Sequence, residues 1–347
     1  MIGIDLPAAA SNVIGKVFRG GVADLRPVPR VLVGHGPNRW VYRMAGDGSG
    51  DPVLLVPPLA APALCFDLRR GCSVAEHFVE QGRATYLVDY GTVSFADRGL
   101  GIEHWIDEVL PHAIRAVSAD AGGRPVHIVA WCLGGIFSLL TAADQPSLPV
   151  ASITTVASPI DFTAIPLVAP ARPLIELTGG WLLTAPYRVL GRAPRQIVRW
   201  AFQLTSVDKY VTKPVAVLTH LDDKEFLAQI EAVDRFMENM AAYPGRTFGQ
   251  LYHRFFRGND LHDGVVDVEG RLISLADIRV PVLVIAGATD GIAPSPAVQR
   301  LTQLLDSSPD IRFEVCPGGH LGVLTGRGAR HTTWRLMDTF LDTHIAA

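Results

Sequence analysis

The run Val126-His-Ile-Val-Ala-Trp-Cys-Leu-Gly-Gly135 constrains this chain more than any other stretch of it. Its first residues suit a buried strand, and the paired glycines after Cys132 open a helix. A strand that turns sharply into a helix through a nucleophilic residue usually reads Gly-x-Ser-x-Gly. The turn lifts the nucleophile above the sheet and leaves backbone N–H groups nearby for an oxyanion. Here the nucleophile is a thiol, Cys132, and Ala130 stands at the first glycine position.

The flanking pattern repeats the same alternation. Residues 53–56, 84–88, 126–130 and 152–156 read as strands, and 74–81, 102–118 and 133–143 as helices. Alternating strands and helices imply a mostly parallel sheet covered on both faces. The alternation lapses from Ile165 to Gly270, where helical periodicity dominates, and resumes with strands at 282–286 and 312–315 and helices at 298–305 and 331–341. The expected organisation is an α/β-hydrolase fold. Residues 1–50 form an N-terminal arm with a hairpin near Trp40–Met44, 51–164 and 271–347 the catalytic core, and 165–270 an inserted, mainly helical cap.

Two partners of the thiol follow from the strand ends. A thiol nucleophile needs a base to generate thiolate and a third group to orient that base. In such sheets they follow in the order nucleophile, acid, histidine. Asp290 falls in the loop that leaves the first strand after the insertion, and His320 in the Gly-rich loop that leaves the next. Cys132, Asp290 and His320 thus converge on the carboxyl ends of parallel strands. The oxyanion donors expected are the N–H of Leu133, after the nucleophile, and that of Leu59 or Ala60, since Pro57 and Pro58 have none; of these two Leu59 is preferred.

Composition excludes several alternatives. A net charge of −3 gives no global positive field for nucleic acid. The apolar stretches are too short for a transmembrane helix. The start Met1-Ile-Gly-Ile-Asp5 lacks the basic region of a signal peptide, and four cysteines without a CxxC pair suit a reducing cytoplasm. Cys316 and His320 have metal-like spacing but no second pair of ligands, so no metal and no cofactor is expected.

Sulfur itself carries chemical information. Moving an acyl group from a CoA thioester to Cys132 exchanges thioester for thioester and keeps its transfer potential. Passing it to an alcohol then yields the more stable oxyester. At this point the chain resembles the polyhydroxyalkanoate synthase family, through Leu54-Leu-Val-Pro-Pro58, Tyr86-Leu-Val-Asp-Tyr-Gly91, the Cys132 elbow, Ala157-Ser-Pro-Ile-Asp-Phe162, Gly258-Asn-Asp-Leu261, the Asp290 loop and Gly319-His-Leu-Gly-Val323. The resemblance implies a cytoplasmic, granule-associated acyltransferase that uses acyl-CoA as substrate. Its Cys132 carries the acyl chain, His320 activates the thiol, and Asp290 assists His320 or the incoming hydroxyl. Without a long N-terminal domain the chain is similar to the short catalytic subunits, which work with a separate helical partner subunit; a homodimer is the alternative.

The chain departs from the family at Ala130, at Tyr90, where Trp is common, and at Met240-Ala-Ala-Tyr-Pro244, which has neither the family's acid nor its indole. A thioesterase or ester hydrolase, an acyltransferase making a single ester, and a non-catalytic subunit stay open as alternatives. Arg188, Arg192, Arg195 and Arg199 form a basic series in the insertion, read as a solvated face rather than a CoA phosphate site.

Overall fold

The computed structural model describes residues 5–18, 21–46, 48–166, 192–193 and 216–345. Its centre is an eight-stranded sheet made of β1 (Arg30–Gly36), β2 (Arg39–Met44), β3 (Pro52–Val56), β4 (Ala84–Asp89), β5 (Val126–Trp131), β6 (Val150–Val156), β7 (Val282–Gly287) and β8 (Ile311–Cys316). They lie in the order β1-β2-β4-β3-β5-β6-β7-β8. Only β2 runs antiparallel to its neighbours. Every residue of β3, β5 and β7 is buried, as expected of parallel strands covered on both faces.

The helices that matter for the site are α1 (Leu6–Phe18), α2 (Val74–Glu80), α3 (Leu110–Asp120), α4 (Leu133–Asp144), α5 (Lys224–Glu238), α6 (Gly245–Gln250), α7 (Ser295–Gln299), α8 (Gly322–Thr325) and α9 (Thr333–Thr343). Helix α4 is apolar almost throughout, and its residues from Leu133 to Ala143 are all buried. It is therefore a core helix, pinned directly behind the elbow.

The N-terminal arm holds a helix as well as the expected hairpin. The hairpin β1–β2 joins the central sheet through Trp40–Arg43 paired with Tyr86–Asp89. Helix α1 precedes it, tied to the insertion by Asn12 Nδ2 donating to the Leu221 carbonyl at 2.8 Å. A run of alanines with little periodicity left that helix unread, and a long-range contact supports it.

The insertion between β6 and β7 carries α5, α6 and a wide helical turn over Leu251–Gly258, followed by the hairpin of Val265–Val268 and Arg271–Ser274. Residues 167–191 and 194–215 of the expected cap lie outside the described residues. Asn259 fastens the two ends of the insertion: its Oδ1 accepts from Phe162 N–H at 2.8 Å and its Nδ2 donates to Asp161 Oδ1 at 3.0 Å. Among the described residues no helix is long and apolar enough to cross a membrane.

Candidate active site

Strand β5 ends at Trp131, and Cys132 takes φ 53° and ψ −124° before α4 begins. A non-glycine residue at positive φ is strained and persists only when its surroundings hold it. Here they hold it on both sides. Cys132 N–H donates to the Val156 carbonyl at 2.8 Å, and its own carbonyl accepts from Ser158 Oγ at 2.7 Å. The two glycines that follow make the close packing possible. A Cβ on Gly134 would lie 2.5 Å from the Val56 oxygen and 2.6 Å from the Pro57 oxygen, and one on Gly135 would meet Ser158 Oγ at 2.1 Å. Gly134 thus lets the elbow sit against the loop that leaves β3.

That loop carries Leu59, one of the two donors expected around an oxyanion. Leu59 is buried, and Ala60 follows at φ 67°. Its backbone is braced twice: Tyr90 Oη donates to the Pro57 carbonyl at 3.0 Å, and Ala241 N–H donates to the Ala60 carbonyl at 2.8 Å. Leu133, also buried, is the first residue of α4, where backbone N–H groups have no intrahelical acceptor. A cavity of about 850 Å³ lies against the same loop, lined by Leu59, Ala60, Tyr90, Arg235 and Met240 among others; Cys132, Asp290 and His320 are not on its wall.

The acid and the histidine come from neighbouring strand ends. β7 and β8 pair in register up to Gly287 and Cys316, so the loops that follow leave the sheet side by side. Asp290 Oδ2 accepts from His320 Nδ1 at 2.8 Å. Asp290 Oδ1 accepts from the N–H groups of Ile292 and Ala293 at 2.8 and 2.9 Å, which fixes the carboxylate plane. This arrangement places the proton on Nδ1 and leaves Nε2 for the thiol. Both side chains are buried. Burial alone would lower the His320 pKa. The negative charge of Asp290 beside it, then that of the Cys132 thiolate, with hydrogen bonds to both, override burial and raise it to about 10.

The structure therefore brings Cys132, Asp290 and His320 together. It also adds neighbours that had no role in the sequence reading. The indole of Trp131 reaches over His320, Ser158 holds the nucleophile's carbonyl, and Tyr243 and Cys65 are close enough to feel the charge on Cys132. Burial, reinforced by that charge, pushes both the Tyr243 phenol and the Cys65 thiol up, so both stay neutral. Trp131 and Ser158 sit in the motifs that carried the resemblance, and Tyr243 in the segment that departs from it. Position in those motifs was the one available signal.

Among the described residues no group of three or more His, Cys, Asp or Glu side chains is placed to hold a metal ion. Arg188, Arg195 and Arg199 lie outside the described residues. Arg192 is described only as backbone, in a two-residue strand paired with Tyr243–Pro244.

A mostly parallel eight-stranded sheet with a strained residue at the β5–α4 turn, facing a histidine–carboxylate pair from the last two strand ends, defines a class. A family model described as alpha/beta hydrolase fold matches residues 51–327, and the chain belongs to that family. Within it, the chain is similar to the poly(3-hydroxyalkanoate) polymerase subunit PhaC of Allochromatium vinosum, with 26% identity over 288 residues, covering 81% of this chain and 78% of the relative. It is likewise similar to the PhaC subunit of Haloferax mediterranei, 24% identical over 324 residues, which covers 88% of this chain and 64% of the relative. Among solved structures, a carboxylesterase of Nitrososphaera gargenis superposes with a TM-score of 0.52 at 13% identity, covering 91% of this chain and 100% of that one, a likeness of fold alone.

Proposed function

We propose that the protein is a cysteine acyltransferase, similar to the PhaC subunits, which forms esters from (3-hydroxy)acyl-CoA thioesters through an acyl-Cys132 intermediate. One observation carries the reading: a thiol at the elbow, engaged by an imidazole that Asp290 holds at 2.8 Å. In the first step Cys132 Sγ attacks the thioester carbonyl. The oxyanion that develops is held by the N–H groups of Leu59 and Leu133. Collapse breaks the C–S bond to CoA, which leaves as a thiol with the proton from His320.

In the second step a hydroxyl attacks the acyl-Cys132 carbonyl and gives its proton to His320 Nε2. Collapse releases the oxyester and returns Cys132 as thiolate beside an imidazolium. Asp290 holds the imidazole in the tautomer that both steps need and stabilises its charged form.

Incubation with 3-hydroxybutyryl-CoA tests this reading. Transfer releases CoA and leaves ester product, oligomeric for a polymerase and single for a simple acyltransferase. Release of CoA with only free hydroxy acid would make the protein a thioesterase and reject transfer. Activity unchanged by Cys132→Ala would reject the thiol intermediate and favour a non-catalytic subunit. A helical partner subunit, a homodimer and granule association belong to the same proposal, and native mass spectrometry of the purified assembly addresses the first two.

A further inference from the structure

Trp131 is the last residue of β5, fully buried, and immediately precedes the nucleophile. Its Nε1–H donates to the backbone carbonyl of His320 at 3.1 Å. Its ring centroid lies 5.0 Å from the imidazole, with 41° between the planes. Phe236 of α5 backs the indole, with 6.0 Å between ring centroids.

These contacts join the elbow at the end of β5 to the loop that carries the histidine. Trp131 is paired to Val156 within the sheet, so its indole projects from a fixed backbone. His320 follows Pro317-Gly-Gly319, with Gly318 at φ 128°, in a loop whose glycine carbonyls accept from Thr289 N–H at 3.0 Å and Val323 N–H at 2.8 Å. Asp290 binds the ring of His320. Trp131 is bonded to its main chain. An indole N–H buried without an acceptor is costly, so the bond to His320 also fixes the rotamer of the indole itself.

We propose that Trp131 is a positioning residue that locks the histidine loop to the elbow through its N–H and favours the imidazolium form of His320 through its ring. The proposal rests on the reading of Cys132 and His320 as nucleophile and base. An aromatic face attracts a cation within about 6 Å of its centroid, and the attraction grows when the pair is desolvated. Both conditions hold at 5.0 Å between two buried rings. The charged and titratable groups that also face this pair are Asp290 from the loop after β7 and Cys132 itself, with Cys65 and Tyr243 coupled to the thiol from the loop after β3 and from the segment before α6. The indole adds to their field without titrating. Favouring the imidazolium favours the thiolate opposite it, so loss of the ring moves thiol ionisation to higher pH.

The test is iodoacetamide alkylation of Cys132 from pH 5 to 10, followed by peptide mass spectrometry, in the full chain and in W131F and W131M. The Phe variant keeps an aromatic face and loses the donor; the Met variant keeps much of the volume and loses both. For W131M the half-maximal alkylation pH should rise by about 0.5 unit, or about threefold less thiolate at the wild-type midpoint. W131F should hold the midpoint within about 0.2 unit while kcat for acyl transfer falls at unchanged KM, because the His320 carbonyl has lost its bond to the elbow. A lowered melting temperature with an unmoved midpoint in W131M would reduce Trp131 to packing and overturn the proposal. An ordinary thiol midpoint in the wild type would instead remove the ion pair itself, and the proposal with it.

Discussion

Replacing Asp290 by Asn changes one atom in the site and should blunt its nucleophile. The carboxylate makes three hydrogen bonds in the native site, two through Oδ1 to the N–H groups of Ile292 and Ala293 and one through Oδ2 to His320. An asparagine can keep the first two with its own oxygen. Its NH2 group then faces His320 Nδ1–H, donor against donor, so the imidazole must carry its proton on Nε2 instead and cannot take one from Cys132. The charge is lost as well. With Asp290 present the His320 pKa is raised to about 10, chiefly by the carboxylate's charge against burial, which favours the imidazolium at pH 7. Without it, burial is the dominant influence and keeps the ring neutral.

A thiol whose neighbouring imidazole cannot take its proton is a poorer nucleophile, so alkylation of Cys132 at pH 7 should fall severalfold in D290N. The rate should recover towards wild type above pH 9, where a thiol ionises unaided. The assay is the second-order rate of iodoacetamide labelling of the Cys132 peptide against pH, with thermal melts confirming that the variant folds. The sign for stability follows from the same shift. A His pKa raised on folding stabilises fully below the unfolded value of about 6.5 and loses that contribution as pH rises through about 10. Wild type should therefore lose more stability than D290N between pH 8 and 10.5. Wild-type labelling of D290N at neutral pH would refute the reasoning, since it would mean that the thiolate does not depend on the carboxylate.

Other perturbations address the rest of the site. Cys132→Ala should show no acyl adduct by intact mass after exposure to acyl-CoA, and no ester product. Gly134→Ala forces a Cβ against the Val56 and Pro57 oxygens; it should cost about 1–3 kcal/mol in denaturant melts and lower kcat by displacing the Leu59 loop. Ser158→Ala removes the 2.7 Å bond to the Cys132 carbonyl, and should cost about 1 kcal/mol and depress alkylation and turnover together. At the opposite end of the sheet burial pushes His127 down to about 4, against the pull of Asp51, while its Nδ1 meets Ser152 Oγ at 2.8 Å. Stability from the neutral ring is complete above pH 6.5 and drains as pH falls to 4, up to about 3 kcal/mol, so His127→Asn should flatten the acid limb of a stability–pH curve.

Much of the site could be read before any coordinates, because it is written in short-range chemistry. A strand ending at Trp131, a nucleophile at 132 and two glycines opening a helix are decided within ten residues. The Asp290 and His320 loops were legible for the same reason, each following a strongly apolar strand. Parallel strands present their carboxyl ends together, so the order of these segments along the chain already implied that they meet. The α/β-hydrolase fold followed from the same alternation.

What escaped that reading depends on which segments touch. Trp131 and His320 are 189 residues apart in sequence, yet one bond joins the indole to the His320 carbonyl. Ala241 braces Ala60 across a similar detour of the chain, and Ser158 reaches the Cys132 carbonyl across a shorter one of 26 residues. Helix α1 and the docking of β1–β2 on the sheet edge also rest on partners far along the chain. Local pattern selects backbone conformation, since that choice is made over a few residues by sterics, burial period and capping. The protonation state of His320 and the hold on a strained Cys132 are set by fields and hydrogen bonds, which act through space and exist only once distant segments have closed over one another.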